Sequence, residues 1–322
     1  MINQKSLNKI SFGEDITLFL MINKFEVKTA KNGKPYLNLE LRDNSAVLPA
    51  KVWAGFEEFL PELSEGKIIK VAGVLEEYNS SPQIRIEKIR PSNEKDNVEP
   101  EDFLPKSKRS LDEMLLEFQQ VIDSVQNRFL KELLKRIFDD INLKKYARTP
   151  AGKNWHHAYI HGLLEHTLEI IRICELMSSI HPEIKRDLLI TGALLHDFGK
   201  TEELTSNTAF DYSDKGKLIG HIMIGALTVE KHASVINNFP EDLKNQLLHL
   251  ILSHQGKLEF ASPVEPRTLE AIVLYQADEL SAKTNAYKSA IEADKNKSSK
   301  WTKFLPLANT SLYIPNEGEL EE

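Results

Sequence analysis

No stretch restricts the fold of this chain more than Thr191-Gly-Ala-Leu-Leu-His-Asp-Phe-Gly-Lys200. From Leu188 to Leu195 the residues are apolar or small on every side, which reads as a helix buried on all faces. That helix ends in an adjacent imidazole and carboxylate, His196 and Asp197, followed by Gly199 and Lys200. Taking an aspartate out of water costs several kcal/mol unless it is paired or binds a metal, so something near Asp197 must compensate it. A metal is the economical source, because His and Asp side by side are ligands of the borderline and hard types used by Mn, Fe, Zn or Mg.

The chain has 322 residues, enough for two domains with cores of their own. Its 41% hydrophobic and 28% charged content is ordinary for a water-borne globular protein. The longest apolar runs are too short to span a membrane, and MINQKSLNKISFGED carries no cleavable signal pattern. The single cysteine, Cys174, excludes an intramolecular disulfide framework and suits a reducing cytoplasm. It sits in an apolar helical run, as buried filler rather than a nucleophile. A net charge of −7 argues against a polyanion-binding surface over the whole molecule, so any nucleic acid must be held locally.

The first 90 residues or so read as strands. Ile16–Thr29 is a long β-rich run, Lys31-Asn-Gly-Lys34 a turn, Tyr36–Leu41 an alternating strand and Val47–Trp53 a third. Gly55–Gly66 reads as a short helix, and Lys67–Leu75 and Gln83–Ile89 as two further strands. Three strands, a helix and two strands is the order of a five-stranded OB-fold barrel. The pattern Tyr36-Leu-Asn-Leu-Glu-Leu-Arg-Asp-Asn-Ser, followed by a strand ending in Trp53, resembles the OB domains of nucleic-acid-binding proteins. Such barrels stack bases on aromatics and run the backbone past basic groups, which makes Tyr36, Lys51, Trp53, Tyr78 and Arg85 the candidate contacts. A tryptophan in a small barrel is more often core than platform. Charge does not decide the matter, since residues 1–91 hold 13 Lys and Arg against 12 Asp and Glu, a net of +1.

Residues 92–110, rich in Pro, Ser and charge, read as a linker between a 1–91 barrel domain and an all-helical domain at 111–295, with a tail at 296–322 expected to pack on the helices. The whole is a multidomain α+β chain. Apolar residues recur at three-to-four spacing through Leu111–Ile141, and later helices are Gly162–Ile180, Arg186–Asp197, His221–Asn237, Glu241–Ser253 and Arg267–Ala293. Polar residues interrupt the apolar faces at His166, His196-Asp197, His221, His254 and Asp278. A lone histidine on such a face is usually a satisfied core residue. Five interruptions in successive helices would leave several buried polar groups unpaired unless they converge, as they do where bundle cores build metal sites.

His166, His196-Asp197 and Asp278, with the run HDFGK, resemble the H…HD…D signature of the HD-domain phosphohydrolases. The extra His221 and His254 match the members with six ligands and two metals. That resemblance implies one ion on His166, His196, Asp197 and Asp278, and a second on His221, His254 and a bridging Asp197. The pairing of OB and HD domains resembles more specifically the YhaM family of bacterial 3′-5′ exoribonucleases. Thr149-Pro-Ala-Gly-Lys153, His156-His-Ala-Tyr159, Gly162-Leu-Leu-Glu-His-Thr167 and Phe304–Pro315 with its Tyr313 are similar to that family's run. His161 departs from it, standing where a small residue is expected.

The resemblance implies hydrolysis of single-stranded RNA, with single-stranded DNA as a second substrate, to nucleoside 5′-monophosphates. It implies two divalent ions, Mn foremost, with Fe, Mg, Co or Zn compatible. Two cations about 3.5–4 Å apart neutralise a phosphodiester and activate water for in-line attack. Asp197 and Lys200 are the candidate catalytic residues. Lys200 either supplies positive charge to the phosphate or is a solvated lysine favoured by the helix dipole. His156, His157 and His161 are candidates near the substrate, while His181, His232 and His249 read as structural or surface residues. A hydrolase of a small nucleotide (cyclic dinucleotide, alarmone or dNTP) and a non-catalytic single-strand-binding protein are the competing readings. Homo-oligomer formation is compatible with the sequence.

Overall fold

A computed structural model of the chain describes residues 4–79, 81–205, 210–295, 299–306 and 308–315. It forms two compact units, Met1–Lys108 with Thr205–Asp211, and Arg109–Leu204 with Tyr212–Glu322.

The first unit is a closed barrel of β1 (Asp15–Thr29), β2 (Pro35–Arg42), β3 (Val47–Val52), β4 (Ile68–Tyr78) and β5 (Ser81–Pro91), in the spatial order β1-β2-β3-β5-β4. The β3–β5 pairing is parallel and the other pairings are antiparallel. Side chains of β2 alternate strictly between the two faces, while the β1–β2 and β4–β5 ladders each carry a register shift. Leu37, Leu39 and Leu41 of β2 point inward and are almost wholly buried, as are Leu20, Val52, Ile69 and Ile84 from the other strands. The expected short helix is a 3-10 segment, Glu57–Glu62, with Pro61 inside it. Phe56 and Leu63 at its two ends are buried in the barrel core.

Residues 92–110 are more ordered than their composition implies. Two 3-10 turns occupy Glu94–Asp96 and Pro100–Asp102, Arg90 holds Asp96 through two hydrogen bonds of 2.7 Å, and Phe103 and Leu104 are buried.

The second unit is helical. In order come α1 (Leu111–Ser124), α2 (Arg128–Ile137), α3 (Asp140–Arg148), α4 (Gly162–Ile180), α5 (Arg186–Leu195), a one-turn α6 (Lys200–Glu203), α7 (Asp214–Ile219), α8 (His221–Ala233), α9 (Glu241–Ser253) and α10 (Leu269–Asp294). The two-residue strands β6 (Leu204–Thr205) and β7 (Asp211–Tyr212), which lie between α6 and α7 in the chain, each have one residue in either unit. The apolar period through Leu111–Ile141 breaks at Val125–Asn127. There Asp187 Oδ2 accepts hydrogen bonds from the Gln126 and Asn127 amides, both at 2.7 Å, and Asn127 Oδ1 caps α2 by accepting from Phe129 and Leu130. All eight α5 residues from Leu188 to Leu195 are buried, as expected of a helix apolar all round.

Of the tail, residues 296–298, 307 and 316–322 lie outside the described residues. The described part is joined to the end of α10 by the Lys303 amide, which donates to Asp294 Oδ2 at 2.7 Å. Among the described residues no helix is long and apolar enough to cross a membrane.

Cys174 lies fully buried on α4, and burial pushes its thiol up to about 12. Because the thiolate is the reactive form, the native protein is expected to be silent toward a disulfide-exchange reagent and to react once per chain in denaturant. Labelling of the native protein as fast as of the unfolded chain would contradict the packing of α4.

Candidate functional site

Five helices bring their polar interruptions to one place. His166 lies on α4, His196 and Asp197 follow the last turn of α5, His221 opens α8, His254 closes α9, and Asp278 lies within α10. Two glycines permit this. Gly220, at φ 78°, turns the chain so that His221 is the first residue of α8. Gly199 lets α8 approach, since a Cβ built on it would stand 2.0 Å from the His221 carbonyl oxygen. Gly199→Ala should therefore displace the start of α8. The expected cost is about 1–3 kcal/mol of stability, the usual range for overpacking, together with weaker metal retention. Chemical denaturation and bound-metal analysis would check both effects.

Each imidazole is fixed through Nδ1. Ser281 Oγ holds His166 at 2.9 Å, the Ala193 carbonyl His196 at 2.8 Å, Glu203 Oε1 His221 at 3.0 Å, and the Ile251 carbonyl His254 at 2.7 Å. All four Nε2 atoms then face the Asp197 carboxylate. His221 and His254 lie 3.4 and 3.5 Å from Oδ1, and His196 and His166 lie 3.3 and 3.9 Å from Oδ2. Asp278 Oδ1 meets His166 Nε2 at 3.0 Å.

These separations suit shared cations. A nitrogen and an oxygen each about 2.1 Å from one metal, at angles between octahedral and tetrahedral, stand roughly 3.0–3.4 Å apart. His196 and His221 fall within that range and His254, at 3.5 Å, just beyond it, whereas His166 at 3.9 Å stands farther from Asp197 and nearer Asp278. Among the described residues, six buried side-chain polar atoms lack a hydrogen-bond partner. Three of them, His196 Nε2, Asp197 Oδ1 and His221 Nε2, converge here. Orphaned buried groups cost about 1–3 kcal/mol each, so their clustering marks a place built for something else to bind. Two of the ligand sets whose atoms lie within 4.8 Å of one another, His166–His196–Asp197 and Asp197–His221–His254, share Asp197. Fixing Nδ1 on an acceptor is also how ligating imidazoles are held in the correct tautomer.

The electrostatics agree. Burial pushes His166 down to about 4, so the ring is neutral at neutral pH, and burial also lowers His254. For His196 burial pulls downward, but the adjacent Asp197 outweighs it and the net direction is up. Burial opposes ionisation of Asp197 and Asp278. Lys200 and His196 nevertheless hold Asp197 well below the usual carboxylate range, and His166 does so for Asp278.

Lys200 is not a solvated lysine: it is 7% exposed, and its ammonium donates to Asp197 Oδ2 at 2.6 Å. Along with His156 and His221 it lines a cavity of about 500 Å³ that also includes Trp155, Glu203 and Tyr212. His156 and His157 stand at the edge of the cluster. Their Nδ1 atoms are 3.3 Å apart, their rings are 4.7 and 5.1 Å from that of His166, and the three form a further set of metal-capable ligands. His157 Nε2 lies 3.2 Å from Glu169. His161 is directed elsewhere. Its Nδ1 meets the Ala147 carbonyl at 2.5 Å, and its φ of 70° is the conformation a glycine adopts without strain, which accounts for the small residue expected there. His249 has a structural role, accepting from the Arg267 amide at 2.9 Å.

Four residues around the site were not singled out from sequence: Glu203, Ser281, Glu169 and Asn285, the last accepting from the His157 amide at 2.7 Å. Ser281 had a signal in its spacing, one helical turn after Asp278.

On the barrel, four of the five candidate contacts meet. Tyr36 and Trp53 stack with centroids 4.7 Å apart and planes 24° from parallel. Lys51 Nζ stands 6.0, 5.8 and 4.7 Å from the ring centres of Tyr36, Trp53 and Tyr78. Trp53 is 50% exposed and Tyr78 52%, so Trp53 lies on the barrel surface and not in its core. Arg85 is engaged instead by Glu76 and Glu87 at 3.1 and 2.8 Å.

A closed OB barrel followed by a helical unit that gathers histidines around one buried aspartate defines an HD-domain protein with a nucleic-acid-binding module and a divalent-metal centre. The sequence matches the HD domain over residues 163–283 and the OB-fold nucleic acid binding domain over residues 23–92. It is 33% identical to the 3′-5′ exoribonuclease YhaM of Bacillus licheniformis, across 94% of this chain and 96% of that protein. Identity to YhaM of Bacillus subtilis is 32%, across 94% and 96%, and to YhaM of Listeria welshimeri 34%, across 88% and 90%. The chain belongs to the YhaM family of 3′-5′ exoribonucleases.

Proposed function

We propose that this protein is a metal-dependent 3′-5′ exoribonuclease that shortens single-stranded RNA, and single-stranded DNA as a second substrate, to nucleoside 5′-monophosphates. The observation that carries the reading is the convergence of four Nε2 atoms on Asp197, split two to each carboxylate oxygen. His166, His196, Asp197 and Asp278 would hold one divalent ion, and Asp197, His221 and His254 a second, with Mn the best match to mixed imidazole and carboxylate ligation. Bound there, such ions supply charge neutralisation at the phosphate and lower the pKa of water.

The chain's own residues do the rest. Asp197 ties the two halves of the centre together through its two oxygens. Ser281, Glu203 and the Ala193 and Ile251 carbonyls fix the imidazoles in orientation. Lys200 keeps a positive charge beside Asp197 inside the cavity, where it can meet a phosphate oxygen. Residues 1–91 form the strand-binding domain, 92–110 connect it, 111–295 form the hydrolytic domain, and the tail packs on the latter. The Tyr36–Trp53 stack with Lys51, its Trp53 exposed, favours a polymeric substrate over a small nucleotide, which needs no stacking surface on a separate barrel.

End-labelled RNA and DNA incubated with Mn or with chelator test the reading. The expected result is a ladder shortening from the 3′ end with release of nucleoside 5′-monophosphate, and none of it in chelator. Internal cuts, or turnover that survives chelation, would sink the proposal.

A further inference from the structure

The cavity beside the Asp197 cluster has a volume of about 500 Å³, within the range of roughly 300–1,000 Å³ common to single small-molecule sites. Its walls differ in chemistry. His156, Lys200, Glu203 and His221 make it polar where it meets the metal centre, and Trp155 and Tyr212 add aromatic surface. Neither aromatic residue has a part in the hydrolytic chemistry derived above.

Trp155 is held in a fixed setting. The Ala151 amide donates to the His157 carbonyl at 3.2 Å, closing the loop that carries Trp155, and Asn285 of α10 holds the His157 amide at 2.7 Å. The indole meets Tyr287 nearly at right angles, with planes 77° apart and centroids 6.5 Å apart. An edge-to-face contact covers at most one face of one ring, so the indole keeps at least one face clear of Tyr287. Tyr212, on β7, is 42% exposed. Charge at one side and flat aromatic surface in the same cavity is the complement of a nucleotide, with its phosphate and its base.

We propose that this cavity seats the 3′-terminal nucleotide of the substrate, its base stacked on Trp155 with Tyr212 as a second aromatic wall, and its phosphate directed toward Lys200 and the Asp197 cluster. The proposal rests on the exoribonuclease reading and adds to it a seat for the terminal base. Stacking accepts any base, because every base has a π-face, so the pocket selects for a free end and not for a sequence. A terminal base must leave its partner to enter, so a 3′ end locked in a duplex is a poor substrate.

Two RNAs that differ only in the 3′-terminal nucleotide, natural or abasic, test this in the metal-loaded enzyme. The wild type is expected to favour the natural end by about 5- to 150-fold in kcat/KM, the span that stacking of one base supplies. Trp155→Leu should bring that ratio close to one by lowering the rate on the natural end more than on the abasic end, and Tyr212→Leu should reduce it in part. A purely structural defect would lower both rates alike and leave the ratio intact. The second readout needs no turnover: 2-aminopurine at the 3′ terminus should be quenched on binding to metal-stripped wild type and recover in Trp155→Leu, whereas the same probe placed further from the end should respond equally to both proteins. A wild type indifferent to the abasic end, or a variant that keeps both preference and quench, would overturn the proposal. Should the wild type degrade neither RNA, the exoribonuclease reading fails, and the quenching experiment still decides whether the cavity seats a base.

Discussion

Asp197→Asn is expected to lower RNA hydrolysis by more than about 100-fold and to reduce bound metal. Loss of an outer partner of a metal ligand alone costs about 10–100-fold, and Asp197 is the carboxylate on which both halves of the proposed centre converge. Asparagine keeps the shape, so the effect isolates the charge and the second ligating oxygen. It also strands the Lys200 ammonium, which is 7% exposed and meets Asp197 Oδ2 at 2.6 Å. Removing one partner of a buried ion pair typically costs about 3–5 kcal/mol because the other charge is left uncompensated. The double variant Asp197→Asn/Lys200→Met should therefore be more stable than Asp197→Asn alone, yet no more active. Denaturant midpoints, elemental analysis of bound metal and turnover of labelled RNA separate these effects. A variant that keeps full metal-dependent activity would remove Asp197 from the bridging position.

How far the sequence foretold this site depends on where each residue's partners lie in the chain. His166, His221, His254 and Asp278 were legible because a polar residue in an apolar helical run is costly unless something meets it. Glu203 and Ser281 were not, since an acid or a serine on a helix is ordinarily solvated and only the fold reveals what each one holds. Sequence leaves Lys200 with two readings, one solvated and one beside the phosphate, and only its burial against Asp197, three residues earlier, removes the solvated one. The bounds of α4 and α9 coincide with the expected helices. The break between α1 and α2 is only partly local: Asn127 caps α2, but the Gln126 and Asn127 amides are held by Asp187, about 60 residues away. Trp53 is the instructive case. Composition favours a core tryptophan, but strand parity already placed it outside: Ala50 and Val52 of β3 are fully buried, so Lys51 and Trp53 must face out.

Paired truncation of Trp53 and Tyr36 to alanine is expected to weaken binding of single-stranded RNA by about 5- to 150-fold for each base that loses its platform, the span measured for base–aromatic stacking. Charge cannot substitute for the rings, because residues 1–91 carry a net of only +1, from 13 Lys and Arg against 12 Asp and Glu. The aromatic variant should leave the salt dependence of binding unchanged, since no phosphate contact is lost. Lys51→Met, by contrast, should flatten it. Arg85→Met should do little to either, its guanidinium being engaged by Glu76 and Glu87. Hydrolysis of a small chromogenic phosphodiester should stay at the wild-type rate in all three, because the metal centre is built entirely from residues of the helical unit. Equal losses on RNA and on the small diester would mean that the barrel surface does not serve the polymer, and would return weight to a small-nucleotide substrate.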